Sequence, residues 1–176
     1  MVEIARTKIK TLFGTFDEIM FSDGNKNVYA IVKGNIENKD NVLCRIHSQC
    51  ISAHYFYSVG CDCSKQMIFS QKVIEEEKKG IVIWLEQEGR GNGHFAKMSS
   101  EKYKINGVSQ AEAYLKAGYP EDSRSYYEVK KVLDCLNIKS IILISSNDSK
   151  QNELQKLGVN VISTIDLGKC INNDKI

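Results

Sequence analysis

The chain has 176 residues, 42% apolar and 26% charged, and 24 Lys and Arg against 22 Asp and Glu leave a formal charge of +2. That length suits one domain with its own core, and the composition excludes a disordered chain. The balanced charge offers no general nucleic-acid or membrane surface, no apolar run approaches the ~20 residues of a membrane span, and Met1–Lys10 is charged where a leader would be apolar. The expectation is one cytoplasmic domain over residues 1–176, without nucleic-acid or membrane partners.

Short apolar or alternating runs predict strands at Lys8–Phe13, Val28–Lys33 and Asn41–Ile46, with Asp23-Gly24-Asn25 as a turn. The pattern then changes to helix over 64–80, where Met67, Ile68, Gln71, Ile74 and Lys78 share a stripe and Gly80 supplies the stop. Ile81–Leu85 reads as a buried strand running into the turn Glu88-Gly-Arg-Gly-Asn-Gly93. Helices are predicted near 95–104, 110–117 and 125–136, then a strand at Ser140–Ser145, a helix at 149–157 closed by Gly158, and a strand at Val159–Ser163. The last sixty residues therefore have a βαβ rhythm, and the polar chain from Asn172 reads as a tail. The expected class is α/β or mixed α+β: a mixed sheet, antiparallel in its N-terminal part and parallel in its C-terminal part.

Six cysteines are present, and for a cytosolic chain metal binding or catalysis is a better reading than disulfides. Cys50, Cys61 and Cys63 form Cys-x10-Cys-x-Cys, while Cys44, Cys135 and Cys170 lie in or beside apolar runs and read as buried small residues. Three thiolates without an obvious fourth ligand suit zinc with one open position. Iron–sulfur chemistry also fits the donor softness, and burial as small hydrophobes is the plain alternative. His47 and His54 flank the cluster, though a lone histidine is more often a satisfied polar residue.

These residues belong to a longer pattern. Arg45-Ile-His-Ser-Gln-Cys50, Cys61-Asp-Cys63 with Gln66 three residues on, Gln87-Glu-Gly-Arg-Gly-Asn-Gly93, Asp122-Ser-Arg124 and Ser145-Ser-Asn-Asp-Ser-Lys150 closely resemble GTP cyclohydrolase II in order and separation. The resemblance covers roughly residues 40–165. It implies a mixed α/β fold, usually a homodimer. It also implies an enzyme that opens the imidazole ring of GTP at C8, releases formate and pyrophosphate, and makes the diaminopyrimidine phosphate that begins riboflavin synthesis.

The resemblance also implies roles. Cys50, Cys61 and Cys63 hold one Zn2+, which acidifies a water for attack on C8, and Mg2+ accompanies the phosphates. Arg45, Arg90 and Lys150 take positions of nucleotide contacts, together with Ile46, His47, Ser48, Gln49, Gln66, Glu88, Gly89, Gln110 and Ser145. For any one of these cations alone, solvated surface charge is the ordinary reading. Glycines 89, 91 and 93 let backbone approach a ligand closely, and the helix start near Asn147 and Asp148 favours an anion. Asp122 and Arg124 match the family's proton acceptor and nucleophile. A guanidinium stays protonated, so stabilising phosphoryl charge is the conservative role for Arg124. Asp62, between two ligands, is either an orienting carboxylate or an exposed turn residue.

Four positions depart from the family pattern. Gln49 replaces a glutamate, Gln110 a threonine, His94 an aliphatic residue, and Glu101 the active-site tyrosine if the alignment from Arg90 to Arg124 has no gap. Such a chain is either a riboflavin enzyme that has drifted or a specialised homologue. The latter stops at a formamidopyrimidine nucleotide or takes another purine nucleotide. From other classes, a non-catalytic nucleotide-binding module is countered by the retained cysteines with Asp122 and Arg124. A zinc-bearing nucleic-acid binder lacks a basic patch and a second metal half-site.

Overall fold

The computed structural model describes residues 1–105 and 107–168; Cys170 and the polar tail lie outside the described residues. The chain divides into two compact units, one of Met1–His47, Asp62–Leu85 and the chain from Tyr126, the other of Ser48–Cys61 and Glu86–Ser125.

The larger unit is built on strands β1 (Val2–Thr11), β2 (Gly14–Ser22), β3 (Asn27–Lys33), β4 (Val42–Ser48), β5 (Gly80–Leu85), β6 (Ile141–Ile144) and β7 (Val161–Ile165). They form one sheet in the order β1-β2-β3-β5-β4-β6-β7. The β1–β2, β2–β3 and β3–β5 pairs are antiparallel, and β4–β6 and β6–β7 are parallel. This is the mixed α/β sheet the sequence predicts.

Side-chain alternation explains why the central strands read as continuous apolar runs. Val42, Cys44 and Ile46 of β4, with Ile81 and Ile83 of β5, join one core cluster; Leu43 and Val82, between them, join another. Buried on both faces, such strands need no polar alternation. Helices α5 (Tyr127–Cys135) and α6 (Asp148–Lys156) add Val129, Val132, Leu133 and Leu154 to the first cluster. Helix α2 (Cys63–Glu77) adds Phe69 and Ile74 to the second.

Some expectations are corrected. Lys8–Phe13 is not one strand: Leu12 and Phe13 form the tip of the β1–β2 hairpin, where the Thr11 hydroxyl donates to the Gly14 carbonyl and accepts from the Phe13 N–H, both at 3.1 Å. Leu12 is 96% exposed, so this apolar tip imitates strand and hides both β2 and the turn. Gly80 does not end α2. Lys78 does, in left-handed backbone at φ 54°. Gly80 opens β5, where a Cβ would come within 2.9 Å of the Leu43 carbonyl oxygen. Cys135, expected inside, is exposed at the end of α5, whereas Cys44 is fully buried and its thiol is pushed up to about 12 by that burial. The Asp23-Gly24-Asn25 turn forms as expected, with Asp23 Oδ1 accepting the Asn25 and Lys26 N–H groups at 3.1 and 3.0 Å.

The smaller unit contains α1 (Ile51–His54), a 3-10 turn at Gly89–Gly91, α3 (His94–Lys104) and α4 (Gln110–Lys116). Helix α4 starts on Ser109, whose hydroxyl accepts the Glu112 N–H. No helix among the described residues is long and apolar enough to cross a membrane.

Candidate functional site

In the smaller unit, the turn after β5 organises the polar groups. Gln87 donates to the Ser48 hydroxyl at 3.1 Å and accepts the Ser125 N–H at 3.2 Å, clamping both ends of the unit's chain. Buried Glu88 accepts the Ile51 N–H at 2.9 Å, which fixes the backbone just after Cys50. Its Oε1 is also 2.9 Å from His94 Nδ1, a close approach without an aligned hydrogen bond, and 3.7 Å from Lys97 Nζ. The Glu88 carbonyl oxygen accepts the Gly91 and Gly93 N–H groups, curling the turn and placing Arg90 in left-handed backbone at φ 57°.

Cys50 Sγ and Cys61 Sγ lie 3.8 Å apart. Two thiolates on one tetrahedral zinc, each about 2.3 Å from the metal, stand about 3.8 Å from one another, so this pair fits two corners of such a site. Cys63 follows two residues after Cys61 as the first residue of α2. All three thiols are free of disulfides. The Cys50 N–H donates to His54 Nδ1 at 3.2 Å, and burial, the largest influence, holds the His54 imidazole below its ordinary pKa. That keeps His54 neutral and occupied with backbone. Asp62, between the second and third cysteines, is exposed and occupies the N-cap position of α2 without a side-chain capping bond.

The 3-10 turn also holds the Asp122–Arg124 segment. Ser123 donates its N–H to the Arg90 carbonyl at 2.7 Å and its hydroxyl to Asn92 Oδ1 at 2.9 Å. Gly91, at φ 83°, approaches so closely that a Cβ would meet the Ser123 carbonyl at 2.6 Å. Arg124 Nε donates to both Asp122 carboxylate oxygens, at 2.9 and 3.1 Å, and its Nη2 completes the pair. Burial pushes the Asp122 carboxyl upward, but the Arg124 hydrogen bonds outweigh it, so the group lies below its ordinary range and is ionised at neutral pH.

Of the remaining expected site residues in this unit, Gly89 is buried and Arg90 and Gln49 are half-buried. Gln110 bonds to the Ser100 hydroxyl at 3.0 Å, joining α4 to α3. Glu101 is exposed on α3 and pairs with Lys104 at 3.3 Å. Lys97 and Tyr114 were not singled out by the sequence. Lys97 Nζ is 3.0 Å from Cys50 Sγ, and buried Tyr114 brings its hydroxyl beside Gly89, where a Cβ would come within 3.3 Å of it. Both approaches join residues far apart in the chain, so no local motif carries them.

The larger unit gathers the other expected contacts. Arg45, 5% exposed, donates to the Ile144 carbonyl at 3.0 Å and to Gln66 Oε1 at 2.6 Å. His47 is buried and stacked on Trp84, with ring centroids 5.6 Å apart. Lys150, also 5% exposed, donates to the Ile46 carbonyl at 3.0 Å and lies 5.8 Å from the Tyr126 ring centroid. Ser145 is buried, and its hydroxyl accepts the Asn147 N–H at 3.1 Å; Asn147 in turn caps α6 by accepting the Lys150 N–H. Arg45 and Lys150 are therefore buried cations bonded to backbone carbonyls, not solvated surface charge.

Comparisons with known proteins agree on one family. The family model described as GTP cyclohydrolase II matches residues 2–166. The chain is 35% identical over 167 residues to GTP cyclohydrolase-2 of Picrophilus torridus, covering 94% of this chain and 87% of that one. It is 37% identical over 169 residues to GTP cyclohydrolase-2 of Acinetobacter baumannii, covering 93% and 84%. The riboflavin biosynthesis protein RibBA of Endomicrobium trichonymphae is 34% identical over 167 residues, but this chain spans only 41% of its length. Among solved structures, RibBX, a two-domain 3,4-dihydroxy-2-butanone 4-phosphate synthase from A. baumannii, matches with a TM-score of 0.52 at 15% identity, over 93% of this chain and 39% of that one. That likeness concerns the fold alone.

Proposed function

The chain belongs to the GTP cyclohydrolase II family, and from that premise we propose that it is a zinc-dependent purine nucleotide cyclohydrolase of riboflavin biosynthesis, with GTP as substrate. The observation that carries the metal is the 3.8 Å separation of the Cys50 and Cys61 sulfurs, with Cys63 two residues further on. Zinc held by these thiolates supplies the Lewis acidity that makes a water nucleophilic toward C8 at neutral pH. Mg2+ accompanies the nucleotide phosphates.

The chain's own residues divide the remaining work. Glu88 and Gln87 fix the backbone that bears Cys50 and the ends of the smaller unit. Arg124, aimed by the Asp122 carboxylate, meets the phosphoryl charge as pyrophosphate leaves. Pairing with an ionised carboxylate stabilises the protonated guanidinium, and a carboxyl held below its ordinary range is a weak base. Both points favour charge stabilisation over nucleophilic attack by Arg124. Arg90, on the turn that clamps Ser123, is the neighbouring candidate for a phosphate contact. Arg45 and His47 of β4, Gln66 of α2 and Lys150 of α6 serve in this reading as nucleotide contacts. A cytoplasmic homodimer goes with the reading, and light scattering giving one chain per particle would overturn the dimer.

One observation favours a second reading. Glu101 puts an exposed carboxylate, paired with Lys104, where the family resemblance expects a tyrosine. It has neither an aromatic face nor a phenol with which to hold a formyl group during the second hydrolysis at C8. The alternative product is a formamidopyrimidine nucleotide. Mass spectrometry of products from GTP, ATP and other purine nucleotides decides. GTP converted to the diaminopyrimidine phosphate with stoichiometric formate supports the first reading, retention of the formyl group supports the second, and binding without turnover rejects both for a non-catalytic module.

A further inference from the structure

Lys97 lies on the first full turn of α3, where its own N–H is bonded to the Gly93 carbonyl at 3.2 Å. Its side chain is 16% exposed, an unfavourable place for an ammonium unless anionic or polar groups meet it. Cys50 Sγ is 3.0 Å from Nζ, the Ser52 hydroxyl 3.3 Å and Glu88 Oε1 3.7 Å. Glu88 also accepts the Ile51 N–H, so one carboxylate restrains both the ammonium and the backbone beside the thiolate.

Resting on the zinc reading above, we infer that Lys97 is a positioning residue for the metal centre, donating a hydrogen bond to the Cys50 thiolate and balancing the charge of the thiolate set. A dication with three thiolates carries one net negative charge, and an ammonium 3.0 Å from a ligand sulfur offsets it, a charge shared with the Glu88 carboxylate at 3.7 Å. Donation to sulfur also lowers the energy of its lone pairs, so less electron density reaches the metal and its Lewis acidity is preserved. Outer partners of this kind tune affinity and acidity without binding the metal themselves.

The test uses the full chain and the variants Lys97→Met and Lys97→Arg. Zinc affinity is read by competition with a chromophoric chelator, and the sulfur-to-metal charge-transfer band is read in the cobalt-substituted protein. Lys97→Met is expected to weaken zinc binding about 10–100-fold, the usual effect of losing an outer partner, and to move the band to lower energy. Lys97→Arg is expected to restore most of both. Wild-type affinity in Lys97→Met overturns the inference. So does weaker binding with an unmoved band, which marks a merely loosened fold, and so does an arginine variant no better than methionine. If circular dichroism shows Lys97→Met unfolded, Lys97→Gln replaces it, keeping an N–H donor without charge, and wild-type values there overturn the charge-balancing role. A wild-type chain that takes up neither zinc nor cobalt defeats the zinc reading itself, whereas loaded wild type and indistinguishable variants defeat only the role of Lys97.

Discussion

The two units differ in what holds their interiors together. In the larger one the interior is apolar, and its buried cations, Arg45 and Lys150, are bonded to the Ile144 and Ile46 carbonyls. In the smaller one the buried groups include Cys50 and Glu88, while Phe95 and Met98 stand 75% and 63% exposed. Cohesion in the first comes from area removed from water, and in the second from a few directed bonds at Gln87, Glu88 and the 3-10 turn. A fold held by many small contacts tolerates the loss of one. A site held by a few does not.

The sharpest break in that comparison should come from two substitutions in the smaller unit. Cys61→Ser is expected to lose zinc and ring opening together, yet still to release pyrophosphate from GTP. Arg124→Ala should keep its zinc and lose pyrophosphate release by about a thousandfold or more, the scale of a transition-state arginine. Metal analysis with separate formate and pyrophosphate assays distinguishes them. Equal loss of pyrophosphate release in both would mean that the two steps are coupled.

The larger unit should fail in the opposite sense. Ile83, fully buried in β5, leaves a cavity when cut to alanine, and Ile83→Ala is expected to cost about 2–5 kcal/mol of stability. Denaturant melts measure that cost. Zinc content per folded chain should not change; a parallel loss of zinc would show that the metal centre draws its order from this core.

Legibility in the sequence follows the same division. The C-terminal βαβ rhythm was readable because β6, α6 and β7 are each short and separated by polar punctuation, and their parallel pairing follows. The β1–β2 hairpin was not, because an apolar Leu12-Phe13 tip lacks the glycine or asparagine that marks a tight turn. In the site, the cysteines and the turn from Glu88 to Gly93 were visible as motifs. The reach of Lys97 to Cys50, across 47 positions, and the burial of Arg45 and Lys150 were not, since both are set by tertiary packing. Residue type alone makes surface charge the ordinary reading of such cations and the resemblance makes them nucleotide contacts; neither foretells that topology puts them inside.

A smaller effect is expected at the join between the turn and the Asp122–Arg124 segment. Gly91 is in backbone that favours glycine, and a Cβ there collides with the Ser123 carbonyl rather than with a yielding side-chain tip. Gly91→Ala should cost about 1–3 kcal/mol of local strain. It should appear as slower pyrophosphate release with little change in zinc affinity. Unchanged kinetics would show that Arg124 does not depend on this clamp.

The smallest expected effect lies at the surface of the larger unit, where Asp23 in the β2–β3 turn meets Lys131 of α5 at 2.8 Å. The Asp23 carboxyl is held well below the usual carboxylate range, chiefly by the hydrogen bond from Lys131 and then by the Lys26 and Asn25 N–H groups. A carboxyl whose folded pKa is depressed favours the native state when ionised. Its contribution is therefore intact above the unfolded value, about pH 4, and is lost as pH falls toward the folded one. Lys131 shows the opposite face of the same bond: raised chiefly by Asp23, it contributes below the unfolded lysine value, about pH 10, and loses that contribution as pH rises further. Asp23→Asn keeps an oxygen acceptor for the turn but removes the charge. Thermal melts from about pH 6 to about pH 2 should show wild type slightly more stable at the upper end, with the difference closing as acid protonates Asp23. Added salt should narrow the same difference at pH 6, because a surface pair is screened. A difference that stays constant across the range would assign Asp23 to turn geometry alone, leaving the α5 contact without electrostatic weight.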